Sequence, residues 1–153
     1  MIKVLFVCLG NICRSPMAEA VFKKMVEEEG LSSKIYIDSA ATSSWEHGNP
    51  VHKGTRDRLK KENISTEGMY SRILNDNDLS ADYIIGMDES NIENINKFLG
   101  NRFSGKVCRL LEFAKENRDI LDPWYTGDFD TTYNDVEKGC RALLNFIKTN
   151  DLI

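Results

Sequence analysis

The sequence predicts an α/β fold: one three-layer domain, residues 1–153, in which a four-stranded parallel sheet is covered by helices on both faces. Three observations carry that expectation. Short apolar runs alternate along the chain with stretches of helical period, the pattern of βαβ crossovers. The first run, Ile2 to Val7, is β-branched and apolar in the manner of a strand buried on both sides. And 153 residues are enough for a single core that buries roughly 68–70% of the unfolded surface without disulfide or metal staples.

After that strand the period changes. Met17, Ala20, Val21, Lys24 and Met25 recur at helical spacing from Pro16 to Glu29, with Ser15 as N-cap, Pro16 at the first helical position, Glu19 in the first turn and Gly30 as the stop. Ile35-Tyr36-Ile37 leads a second strand into Asp38-Ser39-Ala40, and a polar stretch from Thr42 to Pro50 reads as an irregular loop holding Trp45. Lys53 to Glu62 has Leu59 as its main apolar anchor, so it reads as a surface helix whose basic run, Arg56 to Lys61, faces water. Asp82 to Met87 is the third strand, Asp88 to Phe98 a helix with Ile92, Ile95 and Phe98 on one face, and Lys106 to Leu111 the fourth strand. Tyr133 to Lys148 closes the chain as a helix with an apolar stripe of Val136, Cys140, Leu143, Leu144 and Ile147.

Charge and composition narrow the function. A net charge of −4 gives no broad basic field for nucleic acid or anionic membranes, so an anion site has to be a local pocket. No segment approaches a membrane span, and Val4 to Val7 is too short for a signal-peptide core, which leads to an expected cytoplasmic location. The four cysteines, Cys8, Cys13, Cys108 and Cys140, contain no C-x-x-C pair, and their low density favours free thiols. His47 and His52 lack partners at metal-ligand spacing and are expected to be surface residues; neither a metal nor a cofactor is expected.

The chemistry concentrates in residues 8–15. Cys8 ends the first strand at its carboxyl end, where ligands bind in parallel sheets. A thiol attacks as thiolate, a form favoured by a helix N-terminus and by a nearby cation, and Arg14 with the following helix supplies both. Gly10 is expected to take unusual backbone angles so that successive loop N–H groups form a concave nest for a dianion. Arg14 can clamp two phosphate oxygens bidentately, a geometry that lysine does not reproduce.

Cys8, five residues, then Arg14-Ser15 is the C-x5-R-[S/T] signature of cysteine-dependent phosphatases. The fuller string Cys8-Leu9-Gly10-Asn11-Ile12-Cys13-Arg14-Ser15-Pro16-Met17-Ala18-Glu19 closely resembles the low-molecular-weight protein tyrosine phosphatases. The resemblance runs on through Asp38-Ser39-Ala40, Gly48-Asn49-Pro50, Asp82-Tyr83-Ile84, Met87-Asp88-Glu89-Ser90-Asn91 and Asp122-Pro123-Trp124-Tyr125, covering nearly the whole chain. It implies a strand order 2-1-3-4 and hydrolysis of phosphotyrosine proteins or small aryl phosphates, with inorganic phosphate as product. It further implies that Cys8 forms a cysteinyl-phosphate, that Arg14 and the loop amides hold the phosphoryl oxygens, and that Asp122 acts as general acid and then base. Ser15 would hydrogen-bond the thiolate, and Asn11 and Ser39 would brace the loop. Leu9 and Ile12 would floor the cleft, and Trp45, Trp124 and Tyr125, large aromatics in polar segments, would wall it around an aromatic ring. The resemblance also implies a reversible Cys8–Cys13 disulfide that protects the nucleophile from overoxidation, the alternative being that Cys13 only packs beneath the loop.

The chain departs from the family in two places. Many members carry a loop-supporting histidine where this sequence reads Gly68-Met69-Tyr70-Ser71-Arg72, and Met69 cannot make that hydrogen bond. The family's paired tyrosines after the acid read Trp124-Tyr125, leaving Tyr125 alone as a phosphorylation target. Three other functions are weighed. A thiol-dependent arsenate reductase needs a pair of relay cysteines that is absent between Cys13 and Cys108. A phosphoarginine phosphatase resembles this chain but has threonine at the position of Ile12, where it can bond the attacking water. A non-catalytic phosphate-binding module has no use for Cys8, Ser15 and Asp122 together.

Overall fold

A computed structural model describes residues 1–151 and 153; Leu152, inside the expected 1–153 domain, lies outside the described residues. Four strands, β1 (Ile2–Cys8), β2 (Ile35–Ala41), β3 (Tyr83–Gly86) and β4 (Lys106–Arg109), form a parallel sheet in the order β2-β1-β3-β4. β1 is central because it can be buried on both faces. Val4, Phe6 and Cys8 point to one side and Leu5 and Val7 to the other, and all five are buried.

On the Val4–Phe6–Cys8 side pack α1 (Arg14–Glu28) and α5 (Phe129–Asn150), with Phe22 meeting Phe6 edge to face at 5.7 Å. α2 (Lys53–Lys60) leans on these two helices. α3 (Glu89–Leu99) covers the other side through Ile95 and Leu99, so helices lie on both faces of the sheet. Gly139 lets α5 approach the 3-10 turn Leu110–Ala114, since a Cβ there would come within 2.5 Å of Leu110 Cγ.

Several local expectations are corrected. α1 starts at Arg14 with Cys13 at the cap position and no side-chain cap bond; Ser15 lies inside the helix with its hydroxyl engaged elsewhere, and Glu19 falls beyond the first turn. Gly30 does follow the helix end in the left-handed conformation, φ 70°. β4 stops at Arg109, where residues 110–114 turn into the 3-10 segment. α5 begins four residues before Tyr133 because Asp128 caps it, accepting the Thr131 N–H. The basic face of α2 is not wholly solvated: Arg58 stacks 4.1 Å over the Tyr133 ring and pairs with Asp130 at 2.7 Å. Nor is His52 a free surface side chain. It caps α2 by accepting the Gly54 N–H and stacks on Phe129. The short helix α4 (Pro123–Thr126) went unread in the sequence; Asp122 is its N-cap and Pro123 its first residue.

Candidate active site

β1 delivers Cys8 to the carboxyl edge of the sheet, and the chain turns through residues 9–13 into the N-terminus of α1. The left-handed residue of that turn is Asn11, φ 57°, and not Gly10. Asparagine tolerates this region because its short amide bonds locally, and here it bonds three ways. Nδ2 donates to Ser15 Oγ at 2.8 Å and to Ser39 Oγ at 2.9 Å, while Oδ1 accepts the Arg72 N–H at 3.1 Å. Gly10 gives close approach instead: a Cβ would sit 3.3 Å from Glu46 Cγ and would press that side chain aside by a few tenths of an ångström.

The direction of each hydrogen bond follows from Asn11. The Arg72 N–H can only donate, which fixes the amide with its nitrogen toward the two hydroxyls. Ser39 then accepts from Asn11 and donates to Glu19 Oε1 at 2.5 Å. Ser15 likewise accepts from Asn11, so its single hydrogen is available to Cys8 Sγ, 3.0 Å away. Glu19 is buried and ion-paired to Lys23. Ser71 Oγ donates to the Gly10 carbonyl at 2.8 Å, so residues 71 and 72 brace the loop, and Met69 packs half-buried against the core.

Because this network is buried, breaking it costs stability. Ser39→Ala removes the acceptor of one Asn11 N–H and the donor to Glu19, and urea denaturation should record a loss of about 1–3 kcal/mol. A loss below the error of the measurement would mean that water substitutes for the hydroxyl.

Arg14 is 2% exposed and lies beneath the loop. Nη1 donates to Asp88 Oδ2 at 2.7 Å and to the Ile120 carbonyl at 2.8 Å, and Nη2 is 3.4 Å from Asp122 Oδ2. Burial works against its charge, but Cys8, Asp88 and Asp122 outweigh that and hold its pKa above the ordinary value. Cys13 is the opposite case. Burial foremost, with Cys8 and Asp122 adding, pushes its thiol up to about 12, so it stays protonated at neutral pH.

Above the loop opens a cleft of about 150 Å³. Cys8, 4% exposed, lies at its floor with Leu9, Gly10, Ile12 and Cys13, and its walls are Trp45, Glu46, Asp122, Trp124 and Tyr125. Trp45 and Tyr125 are each 77% exposed, large aromatics with one face open to the cleft mouth. Of the expected site residues, Leu9, Gly10, Ile12, Cys13, Trp45, Asp122, Trp124 and Tyr125 line the cleft with Cys8, whereas Asn11, Arg14 and Ser15 are buried and do not line it, and Ser39 is bonded to Asn11.

The sequence profile of the low molecular weight phosphotyrosine protein phosphatases matches residues 3–152. The chain belongs to this family. It is 44% identical over 151 residues to the low-molecular-weight protein-tyrosine-phosphatase YfkJ of Bacillus subtilis, covering 97% of each chain. The crystal structure of YfkJ superposes with a TM-score of 0.93 over 97% of this chain and 96% of that one. SP-PTP of Streptococcus pyogenes, another low-molecular-weight tyrosine phosphatase, is 42% identical with a TM-score of 0.88, covering 99% and 97%. The Drosophila arginine phosphatase is 31% identical with a TM-score of 0.89, covering 98% and 100%.

Within this phosphatase, three contributors escape a reading by motif alone. Asp88 follows the third strand and caps α3, accepting the Asn91 N–H, so its second role at Arg14 is hidden behind an ordinary helix start. Glu19 stands four residues after Ser15, one helical turn along the same face, and that spacing was the available signal. Glu46 lies beside Trp45, and nothing in an irregular loop marks which of its residues faces the cleft.

Proposed function

We propose that the protein hydrolyses phosphotyrosine and small aryl phosphates through a cysteinyl-phosphate intermediate, with Asp122 as general acid and base. The observation that supports this most is the convergence on one cleft of Cys8 at the floor and Asp122 on the wall, with Arg14 beneath, 3.4 Å from the Asp122 carboxylate and electrostatically coupled to Cys8. The Cys8 thiolate attacks phosphorus in line, an S–P bond forms, and the P–O bond to the phenol breaks. The phenolic oxygen leaves with the electron pair and takes its proton from Asp122. A water then gives its proton to Asp122 and attacks the phosphorus, releasing inorganic phosphate and the thiolate. The Ser15 hydroxyl, held by Asn11, donates to the sulfur and favours its departure. Arg14 and the N–H groups of residues 9–13 face the charge that develops on the phosphoryl oxygens. Three exposed aromatics around the mouth suit a ring-bearing substrate.

Cys13 lines the same cleft floor as Cys8 and by that position fits a protective role, although burial pushes its thiol up so that it must give up its proton in the attack. Were peroxide to oxidise Cys8 to a sulfenic acid, the Cys13 sulfur would displace its hydroxyl as water and form a disulfide. The four cysteines are all free thiols, and the cytoplasm is the compartment we propose. No described helix is long and apolar enough to cross a membrane.

The test is a panel of p-nitrophenyl phosphate and peptides carrying phosphotyrosine, phosphoserine or phosphoarginine, assayed with chelator present. Turnover of the first two, competitively blocked by vanadate, is expected; dependence on added metal or preference for phosphoarginine would overturn the reading. Arg14→Lys should lower kcat/KM by about 10²–10³-fold, since an ammonium cannot bridge Asp88, Ile120 and a phosphoryl group at once. Steady-state kinetics on p-nitrophenyl phosphate reads this directly.

A further inference from the structure

The cleft was built for a dianion, yet one of its walls is a carboxylate that the chemistry does not use. Glu46 is half-buried, with its stem against the backbone of Gly10 and its Oε2 accepting from Asn49 Nδ2 at 2.6 Å. The Asn49 N–H donates to the Glu46 carbonyl at 2.9 Å, so the turn that carries both residues is closed and the Asn49 amide stays within reach of the carboxylate at the rim. Asp122 lines the same cleft, and among the described residues that line it there is no lysine or arginine. Arg14 is buried beneath the loop and does not line the cleft, so its charge serves the floor and not the rim. A negative charge at the rim favours a substrate that itself brings a cation there.

We propose that Glu46 is a specificity residue that selects phosphotyrosine sites with a lysine or arginine within two residues of the phosphorylated tyrosine. This rests on the phosphotyrosine reading above and goes beyond it. With the phosphotyrosine ring in the cleft, a flanking cation meets the Glu46 carboxylate and the exposed faces of Trp45, Trp124 and Tyr125, an arrangement that joins an ion pair to a cation–π contact. A flanking aspartate or glutamate meets only like charge and aromatic faces.

The test compares two phosphotyrosine peptides that differ only in flanking lysines or glutamates, with p-nitrophenyl phosphate as a substrate lacking a flank. Rim charge pairs are weak and screened, so the parent should favour the lysine peptide in kcat/KM by about two- to fivefold at low salt and by less at high salt. Glu46→Gln should remove most of that ratio and Glu46→Lys should reverse it. Because the ratio is taken within one enzyme, a general loss of folded protein cancels. A ratio unchanged by both substitutions, while p-nitrophenyl phosphate is still hydrolysed, would overturn the role of Glu46 and leave the phosphatase reading standing. Failure of the parent on all three substrates would overturn the phosphatase reading itself, and the selection with it.

Discussion

Cys8→Ser should abolish turnover, with kcat on p-nitrophenyl phosphate down by about 10⁴-fold or more. The hydroxyl that replaces the thiol would occupy the same floor position, 3.0 Å from Ser15 in the parent, and the loop, Arg14 and α1 would all remain. What is lost is the sulfur nucleophile, since a serine hydroxyl with no base beside it attacks poorly. Binding should survive. Inorganic phosphate measured by calorimetry is expected to bind the variant, because the anion cradle is backbone and guanidinium. More than a hundredth of parent activity would move the nucleophile elsewhere; burial pushes the Cys13 and Cys108 thiols up to about 12 and Cys140 well above the ordinary thiol value, so none of them takes over as a thiolate.

Asp122→Ala should lower kcat on phenyl phosphate by about 10²–10⁴-fold with KM little changed. A phenol leaves as a poor anion, with a pKa near 10, and the barrier rises when no proton is supplied. The loss should shrink for leaving groups that are stable as anions, so a plot of log kcat against leaving-group pKa steepens in the variant. Asp122 also caps α4 through the Trp124 N–H at 3.0 Å, and Asp122→Asn keeps that bond while removing the proton donor. Equal damage from Asn and Ala, confined to poor leaving groups, assigns the effect to the proton. Damage in Ala alone would reduce Asp122 to a cap that orients Trp124 and Tyr125.

Much of the fold was legible because its signals are one-dimensional. The Ile2–Val7 run, the Ile35 and Tyr83 strands and the stripe on α5 each announce a period, and the sheet order β2-β1-β3-β4 matches what the family resemblance implied. The site was legible where the chain is contiguous, from Cys8 to Ser15, and at Asp122-Pro123-Trp124-Tyr125 through the family resemblance. The misreadings come from residues whose local preference lost to a tertiary partner. Ser15 is a good N-cap by type, but Asn11 and Cys8 recruit its hydroxyl, and the helix begins two residues earlier without it. Gly10 is the residue most able to take a positive φ, but Asn11 takes it, because there its amide finds Ser15, Ser39 and the Arg72 N–H. The bracing by Ser71 and Arg72, the anchoring of Arg14 by Asp88 and the cleft-facing Glu46 depend on segments 30 to 75 residues apart, distances at which no period operates.

The two halves of the cleft differ in how freely they can change. Its floor is strand β1, the first turn of α1 and a buried chain of hydrogen bonds, so almost any edit there disturbs the core as well as the reaction. Its rim is carried by the irregular 43–49 segment and a four-residue helix, whose large side chains stand mostly in solvent. Exposed substitutions of that kind usually shift stability by no more than about 0.5 kcal/mol. Evolution can therefore exchange one clientele for another at the mouth of this enzyme while leaving its chemical engine untouched.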